Sequence, residues 1–337
     1  MKMLPGDVVA QVFQLLGPDC VLRCVCASRR WASSPDLQRC VSAARRLCAI
    51  AAGIRTSPNW SDELWPVEFR ACRYITMAAV TRRGRVLKDA AEYLRSDKEV
   101  VLAAAAEDGS ALEYAAPHLQ ADKEVALAAV AQNSYALEYA ANDLRADKEV
   151  VLAAVAQDGC ALTHAASDLR ADKEVVLVAV AQDGEALEYA ASHLRADKEF
   201  VLAAVRENGS AVWYSAAEHL RADKEVVLAA VAQNGHALRD VAAEFQADKE
   251  VVLAAVAQNG HALQYAASHL QADKEVVLVA VAQNGHALKH AASDLRADKG
   301  VVLAAVAHNG NSLQYASANL RADDEMVRAA AVKRFRM

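Results

Sequence analysis

The chain has 337 residues, 54% of them apolar but only 5% aromatic, so alanine and valine carry the interior and closely packed helices are expected. The formal net charge of −6 is unevenly spread: residues 1–96 hold 15 Lys and Arg against 8 Asp and Glu, and the remainder 22 against 35. So acidic a body is a poor match for a phosphate backbone, which argues against a nucleic-acid partner.

The N-terminus, MKMLPGDVV, carries no apolar leader core. Apolar runs such as VVLAAVA are too short to span a bilayer. A soluble, intracellular chain, cytoplasmic and/or nuclear and without a membrane partner, is the expectation. Six of the seven cysteines precede residue 73, without CxxC spacing, and the first histidine is His118. Reduced, buried thiols fit this better than a local zinc cluster.

Residues 4–31 read LPGDVVAQVFQLLGPDCVLRCVCASRRW. Leu4 and Pro5 form an extended entry, and a helix then puts Val8, Val12, Phe13 and Leu16 on one stripe. GPD breaks it, and a second short helix carries Val21, Leu22 and Val25 ahead of Arg29, Arg30 and Trp31. About 45 residues of this kind are marginal alone and call for a partner.

This segment resembles an F-box, a family that opens on Leu-Pro, an acidic residue and paired aliphatics, and closes on a basic pair and tryptophan. Ala27, Ser28 and Cys20 depart from that pattern. The resemblance implies docking onto the adaptor of a cullin–RING ubiquitin ligase through Leu4, Pro5, Val8, Val12, Phe13, Leu16, Val21, Leu22 and Trp31. The boundaries expected are an F-box-like domain over residues 1–46 and a helical linker over 47–71, with Trp60 and Trp65 structural.

From residue 72 the chain repeats itself. DKEVVLAAVAQNG, or a close variant, opens on aspartates at 97, 122, 147, 172, 197, 223, 248, 273, 298 and 323, a period of 25 with one step of 26. CRYITMAAVTRRG, at 72–84, is a degenerate first copy. Such a period means stacked supersecondary units. Each unit reads as two helices: Asp caps the first, Glu suits the positive end of its dipole, and glycine ends it in the left-handed conformation. The second is amphipathic, with Leu112, Ala115, Ala116 and Leu119 on one face.

Ordering 25 residues costs roughly 38 kcal/mol at about 1.5 kcal/mol each. Offsetting that takes on the order of 1,500 Å² of apolar burial, more than one alanine-rich hairpin can find against itself. The expected fold is therefore all-α: a small helical F-box-like domain, then an α-solenoid of about ten 25-residue two-helix repeats over 72–322, closed by a capping helix over 323–337. The extra residue, within SAVWYSAAEHLRA, predicts a bulge or lengthened turn. The phrase DKEVVLAAVAQNGxALxYA resembles the repeat family called domain of unknown function 4116, which implies the fold and no chemistry.

The first helix barely changes between copies; variation gathers after the glycine. That position runs Ser110, Tyr135, Cys160, Glu185, Ser210, His236, His261, His286 and Asn311. Three residues on come Glu113, Glu138, Thr163, Glu188, Trp213, Arg239, Gln264, Lys289 and Gln314. The ladder is acidic early and basic or histidine-bearing late. It is either a solvated face tolerant of drift or a groove gripping a protein ligand through Glu113, Glu138, Glu185, Glu188, Trp213, His236, Arg239, His261, His286 and Lys289, and Trp213 favours the groove. Equivalent residues of adjacent repeats stand about 9 Å apart, too far for His236, His261 and His286 to share a zinc ion. Tyr114, Tyr139, Tyr189, Tyr214, Tyr265 and Tyr315 form a second ladder, expected to pack.

An enzyme fits poorly, since no glycine-rich phosphate loop, GxSxG or HExxH occurs, and no cofactor is expected. The function expected is an F-box substrate receptor that holds an unidentified protein substrate on its repeats. The alternative is an interaction scaffold with no ligase role.

Overall fold

The computed structural model describes residues 70, 72–214 and 218–334. The F-box-like segment, with Leu4 to Trp31, and most of the expected linker lie outside the described residues. Among those described, every regular element is helical. They fall into two compact units, one running to Gln157 and including His164–Ala166, the other comprising Asp158–Thr163 and Ser167 onward.

In the first unit, the repeat opening at Asp97 shows the plan. Its long helix is Lys98–Glu107. Asp97 Oδ1 accepts from the backbone N–H groups of Glu99, at 3.1 Å, and Val100, at 3.3 Å, as the cap reading requires. Val100, Val101, Ala104 and Ala105 are fully buried, but Leu102 and Ala103 are half-buried and Ala106 is exposed, so the helix is not enclosed all round.

The expected second helix is two pieces. A 3₁₀ segment, Gly109–Tyr114, is followed by Ala115 and Ala116 in extended conformation and then by a single α-turn, Pro117–Gln120. Leu112, Ala115 and Leu119 are buried as expected, but the backbone between them is not helical. It opens because Ala116 N–H donates to Arg95 O of the preceding repeat at 2.9 Å. The same bond joins Ala141 to Gln120 and, in the second unit, Ala267 to Gln246 and Ala292 to Gln271. A continuous helix would have kept that N–H for itself.

The glycine reading is also corrected. The long helix ends at Asp108, whose backbone is extended (φ −142°, ψ 109°) and whose side chain accepts from Ser110 N–H at 2.9 Å. Gly109 does not stand in the left-handed region. A Cβ there would lie well under 3.0 Å from Ala129 O of the next repeat, and one at Gly260 would meet Ala280 O in the same way. Glycine is required for the close approach of repeats rather than for its own torsion angles.

Ser134 stands where this glycine belongs and is buried. The helix that carries Ala154, Lys148–Val155, is two residues shorter than its neighbours. Gln157 N–H closes it three residues back on Ala154 O at 3.1 Å, where Asn133 N–H closes the preceding helix four residues back on Ala129 O at 2.9 Å. The helix packed after this added Cβ is thus shorter by about half a turn.

The lysine of DKE has a role that its position after the capping Asp did not reveal. Lys98 Nζ lies 2.7 Å from Asp122 Oδ2 and 2.8 Å from Glu124 of the next repeat. Lys123 repeats this with Asp147 and Glu149, and in the second unit Lys249 with Asp273 and Glu275. The Lys98 hydrogen bond, more than any other influence, holds the Asp122 carboxyl below the usual carboxylate range. Gly300 replaces the glutamate in one repeat and leaves Lys274 with Asp298 alone, at 2.6 Å. Asp324 replaces the lysine in the last copy, so the row ends there.

The second unit holds the long helices Lys173–Gln182, Lys198–Glu207, Lys224–Gln233, Lys249–Gln258, Lys274–Gln283 and Lys299–His308, with Asp324–Arg334 after them. The residue added in the 26-residue step is confined to 215–217, outside the described residues: Gly209–Tyr214 before it and Glu218–Arg221 after it keep their places, with Val212 and Leu220 buried. The joint is looser here. A Cβ on Gly209 would stand 2.8 Å from Ala230 O, farther back than at Gly235 or Gly260.

Gly260→Ala should cost about 1–3 kcal/mol, since the clash is with backbone, whereas Gly300→Glu should add about 0.5–1 kcal/mol by removing a helical glycine. Urea titrations followed by circular dichroism would show the opposite signs. Ser134→Gly should stabilise the first unit, and hydrogen exchange at Ala156 and Gln157 should slow as the missing turn re-forms.

Candidate functional site

The position after the glycine and the tyrosine position, taken as two ladders from sequence, form one strip. The residue after the glycine in one repeat meets the tyrosine position 29 residues on, in the next. In the first unit the Tyr135 ring stands edge-on to His164, centroids 5.9 Å apart. In the second, His236 meets Tyr265 at 6.2 Å, His261 meets His290 at 6.0 Å and His286 meets Tyr315 at 5.6 Å, all edge-to-face. Tyr114, Tyr139, Tyr189, Tyr214, Tyr265 and Tyr315 are half-buried, in agreement with a packing role, whereas Tyr135 is exposed.

A third participant was missed from sequence: the Asn or Asp that ends each long helix. Asn133 Nδ2 donates to Ser110 Oγ at 3.1 Å. Asn309 Nδ2 lies 2.9 Å from His286 Nε2, while His286 Nδ1 lies 3.3 Å from the Tyr315 hydroxyl. Arg85 pairs with Asp108 at 3.0 Å. The His286 rung is therefore built from one residue of a repeat and two of its successor. The recurring NG and DG signalled a helix stop, and only the three-dimensional offset shows that the Asn side chain also reaches the preceding repeat.

The outer positions lie where expected. Glu113 and Glu138 in the first unit, and Glu188, His236, Arg239 and Lys289 in the second, are exposed. Glu185, His261 and His286 are half-buried, and so is Trp213. The strip of the first unit deepens into a polar cleft of about 570 Å³ lined by Arg83, Arg85, Glu107, Asp108, Ser110 and Asn133. The strip of the second begins acidic, with Asp183, Glu185 and Glu188, and continues with His236, Arg239, His261, His286 and Lys289. Arg239 holds the carboxylate of Asp240 through two hydrogen bonds, at 2.9 and 3.0 Å.

Burial, reinforced by the nearby Lys289 ammonium and His261 ring, pulls the His290 imidazole down to about 4. His261 is lowered for the same first reason, with Lys289, His286 and His236 adding to it, and burial lowers His164 in the first unit. The imidazoles of His261 and His290 are therefore neutral, aromatic groups at neutral pH. Among the described residues one set of potential metal ligands converges, Cys160, Asp183 and Glu185, with donor atoms within 4.8 Å of one another. Burial and then the surrounding carboxylates push the Cys160 thiol up to about 11, so Cys160 is a protonated thiol directed at Asp183, 3.8 Å away. His118, His193, His219 and His269 are exposed on the one-turn helices, away from the strip. The strip offers aromatic edges, hydrogen-bonding groups and charge.

The unfolded chain takes up a proton at each imidazole near pH 6.5, whereas folded His290 resists protonation down to about 4. Its contribution to stability is complete above the unfolded value and is lost as pH falls through this window. His290→Gln should therefore flatten the fall of the urea midpoint between about pH 6.5 and 4.5, and NMR should show the His290 ring still neutral at the lower end.

No helix among the described residues is long and apolar enough to cross a membrane. No curated protein and no solved structure shows a significant match to the chain. A family model does match, at residues 72–120, 122–170, 172–216, 197–246, 248–296 and 298–336. Most matches span two 25-residue repeats, and the two that overlap, 172–216 and 197–246, do so in the repeat that carries the inserted residue. With the repeats covered almost from end to end, the chain belongs to the family described as Domain of unknown function (DUF4116).

Proposed function

We propose that the repeats are a non-catalytic binding array that holds a protein ligand along the strip of variable positions. The observation that carries this reading is a division of labour. The capping Asp, the Lys, the buried Val and Ala and the glycine are spent on stacking one repeat against the next. In each unit the outer positions that differ between copies, Glu113 and Glu138 in the first and Glu188, Arg239 and Lys289 in the second, are exposed, while the inner ones also pack against the next repeat. A side chain free of structural duty is one that a ligand can shape.

The second part of the proposal concerns the N-terminus and rests on sequence. Leu4, Pro5, Val8, Val12, Phe13, Leu16, Val21, Leu22 and Trp31 follow the F-box pattern. A segment of that kind would tie the array to the adaptor and cullin of a ubiquitin ligase. The array would then act by raising the local concentration of a lysine-bearing substrate rather than by bond chemistry of its own. The near-identity of the repeats favours the alternative, a scaffold with no ligase role.

Affinity capture of the full chain from cells should recover the ligase adaptor, and Leu4→Ala with Pro5→Ala should abolish that recovery. Absence of the adaptor from the wild-type capture would leave the scaffold. A photo-crosslinking residue at Glu138 should trap the array ligand in either case. The same residue at Asp143, exposed on a one-turn helix, should not. Equal trapping at both positions would remove the strip from the account.

A further inference from the structure

We propose that the strip around Trp213 docks a second copy of this chain about a two-fold axis. The inference rests on reading the strip as a binding face and names one occupant of it. The first observation is the tryptophan itself. At the same position in the second unit stand Glu188, Arg239, Gln264, Lys289 and Gln314, all exposed. Trp213 is half-buried, a large aromatic set into a polar row. Tryptophans in such places are enriched among the residues that dominate interfaces.

The second observation is the reversal of charge across it. The rung before Trp213 carries Glu185 and Glu188; the rung after it carries His236 and Arg239. A partner of a single charge sign would be repelled by one side. A second copy, turned by a half-rotation through Trp213, would not. Each copy would bring its acidic rung to the basic rung of the other, with Glu188 facing Arg239 of the second copy and Glu185 facing His236 of the second copy. An isologous contact makes each of these pairs twice. The two indoles would meet on the axis, where offset stacking is favourable.

Arg239 is not withheld from such a contact by Asp240. The two side chains are 65% and 41% exposed, and an ion pair so open to water adds little. The guanidinium has donors enough to keep Asp240 and accept Glu188 of the second copy in the same plane.

Sedimentation of the full chain at low ionic strength would test the proposal. A concentration-dependent dimer that weakens with salt is expected. Glu188→Arg alone and Arg239→Glu alone should each raise the dimer Kd by about tenfold or more, and the combined reversal should bring it back to within about threefold of wild type. Trp213→Ala should weaken it too. The charge reversals sit at exposed positions, and circular dichroism would confirm that the variants are folded. A wild-type chain monomeric to roughly 100 µM, a dimer indifferent to the reversals, or single losses that the double reversal fails to restore would each overturn the proposal. A monomer that still traps its ligand at Glu138 would sink this inference alone. A dimer rescued by the double reversal would stand even if no ligand were found.

Discussion

The carboxylate of Asp122 has two oxygens and two duties. Oδ1 accepts from the N–H groups of Glu124 and Val125, at 3.0 and 3.2 Å, and so starts its own helix. Oδ2 accepts from Lys98 of the preceding repeat at 2.7 Å. The two functions share one rigid group, so the register of one repeat on the next is set at the place where the helix begins. An exposed lysine–carboxylate pair is worth about 0–1 kcal/mol by itself, and the row does not hold the array together by its strength. It selects the stacking in which the buried faces, Val100 and Val101 against their successors, meet without a slip. Burial supplies the energy and the DKE row supplies the register.

Much of this was legible in the letters. Period, Asp cap, apolar first helix and buried Leu112 and Leu119 all followed from spacing and residue type. The repeats are long enough, and regular enough, for local propensity and tertiary packing to agree. The second half of each repeat was harder. Gly109–Tyr114 and Pro117–Gln120 have the burial pattern of one amphipathic helix, and the break between them arises from a hydrogen bond to another repeat, Ala116 to Arg95. Periodicity within a window cannot report a bond across 21 residues. The same limit applies to glycine. A helix-ending NG commonly signals a left-handed residue, and only the position of Ala129 O shows that close approach is the true constraint.

The strip divides in a similar way. That positions after the glycine vary, and that Glu113, Glu138, Glu188, Arg239 and Lys289 three residues on lie outside, could be read by comparing copies. That the helix-ending Asn133 and Asn309 join it could not, because they serve a local turn at the same time. The histidines were set aside as metal ligands on spacing alone. The structure gives His236, His261 and His286 a different occupation, as ring partners of the following repeat. An imidazole placed edge-on to an aromatic ring adds to stacking, and at His286 both ring nitrogens are engaged as well, by the Tyr315 hydroxyl and by Asn309.

The irregular copies show how far a disturbance travels. Ser134 shortens the helix that follows it, yet the next 3₁₀ segment, Gly159–His164, still buries Ala161 and Leu162. The extra residue at 215–217 leaves Leu220 buried and Asp223 on its cap. Each fault is absorbed within one joint, as expected where a repeat touches only its neighbours. That locality frees the variable positions. A side chain on the strip can change from Glu188 to Trp213 to Arg239 without asking anything of the core two repeats away. A chain can then write acid, aromatic and base along one face in any order that a partner rewards. Under the proposed binding role, recognition would be tuned one rung at a time while the buried core of each unit keeps its stacking.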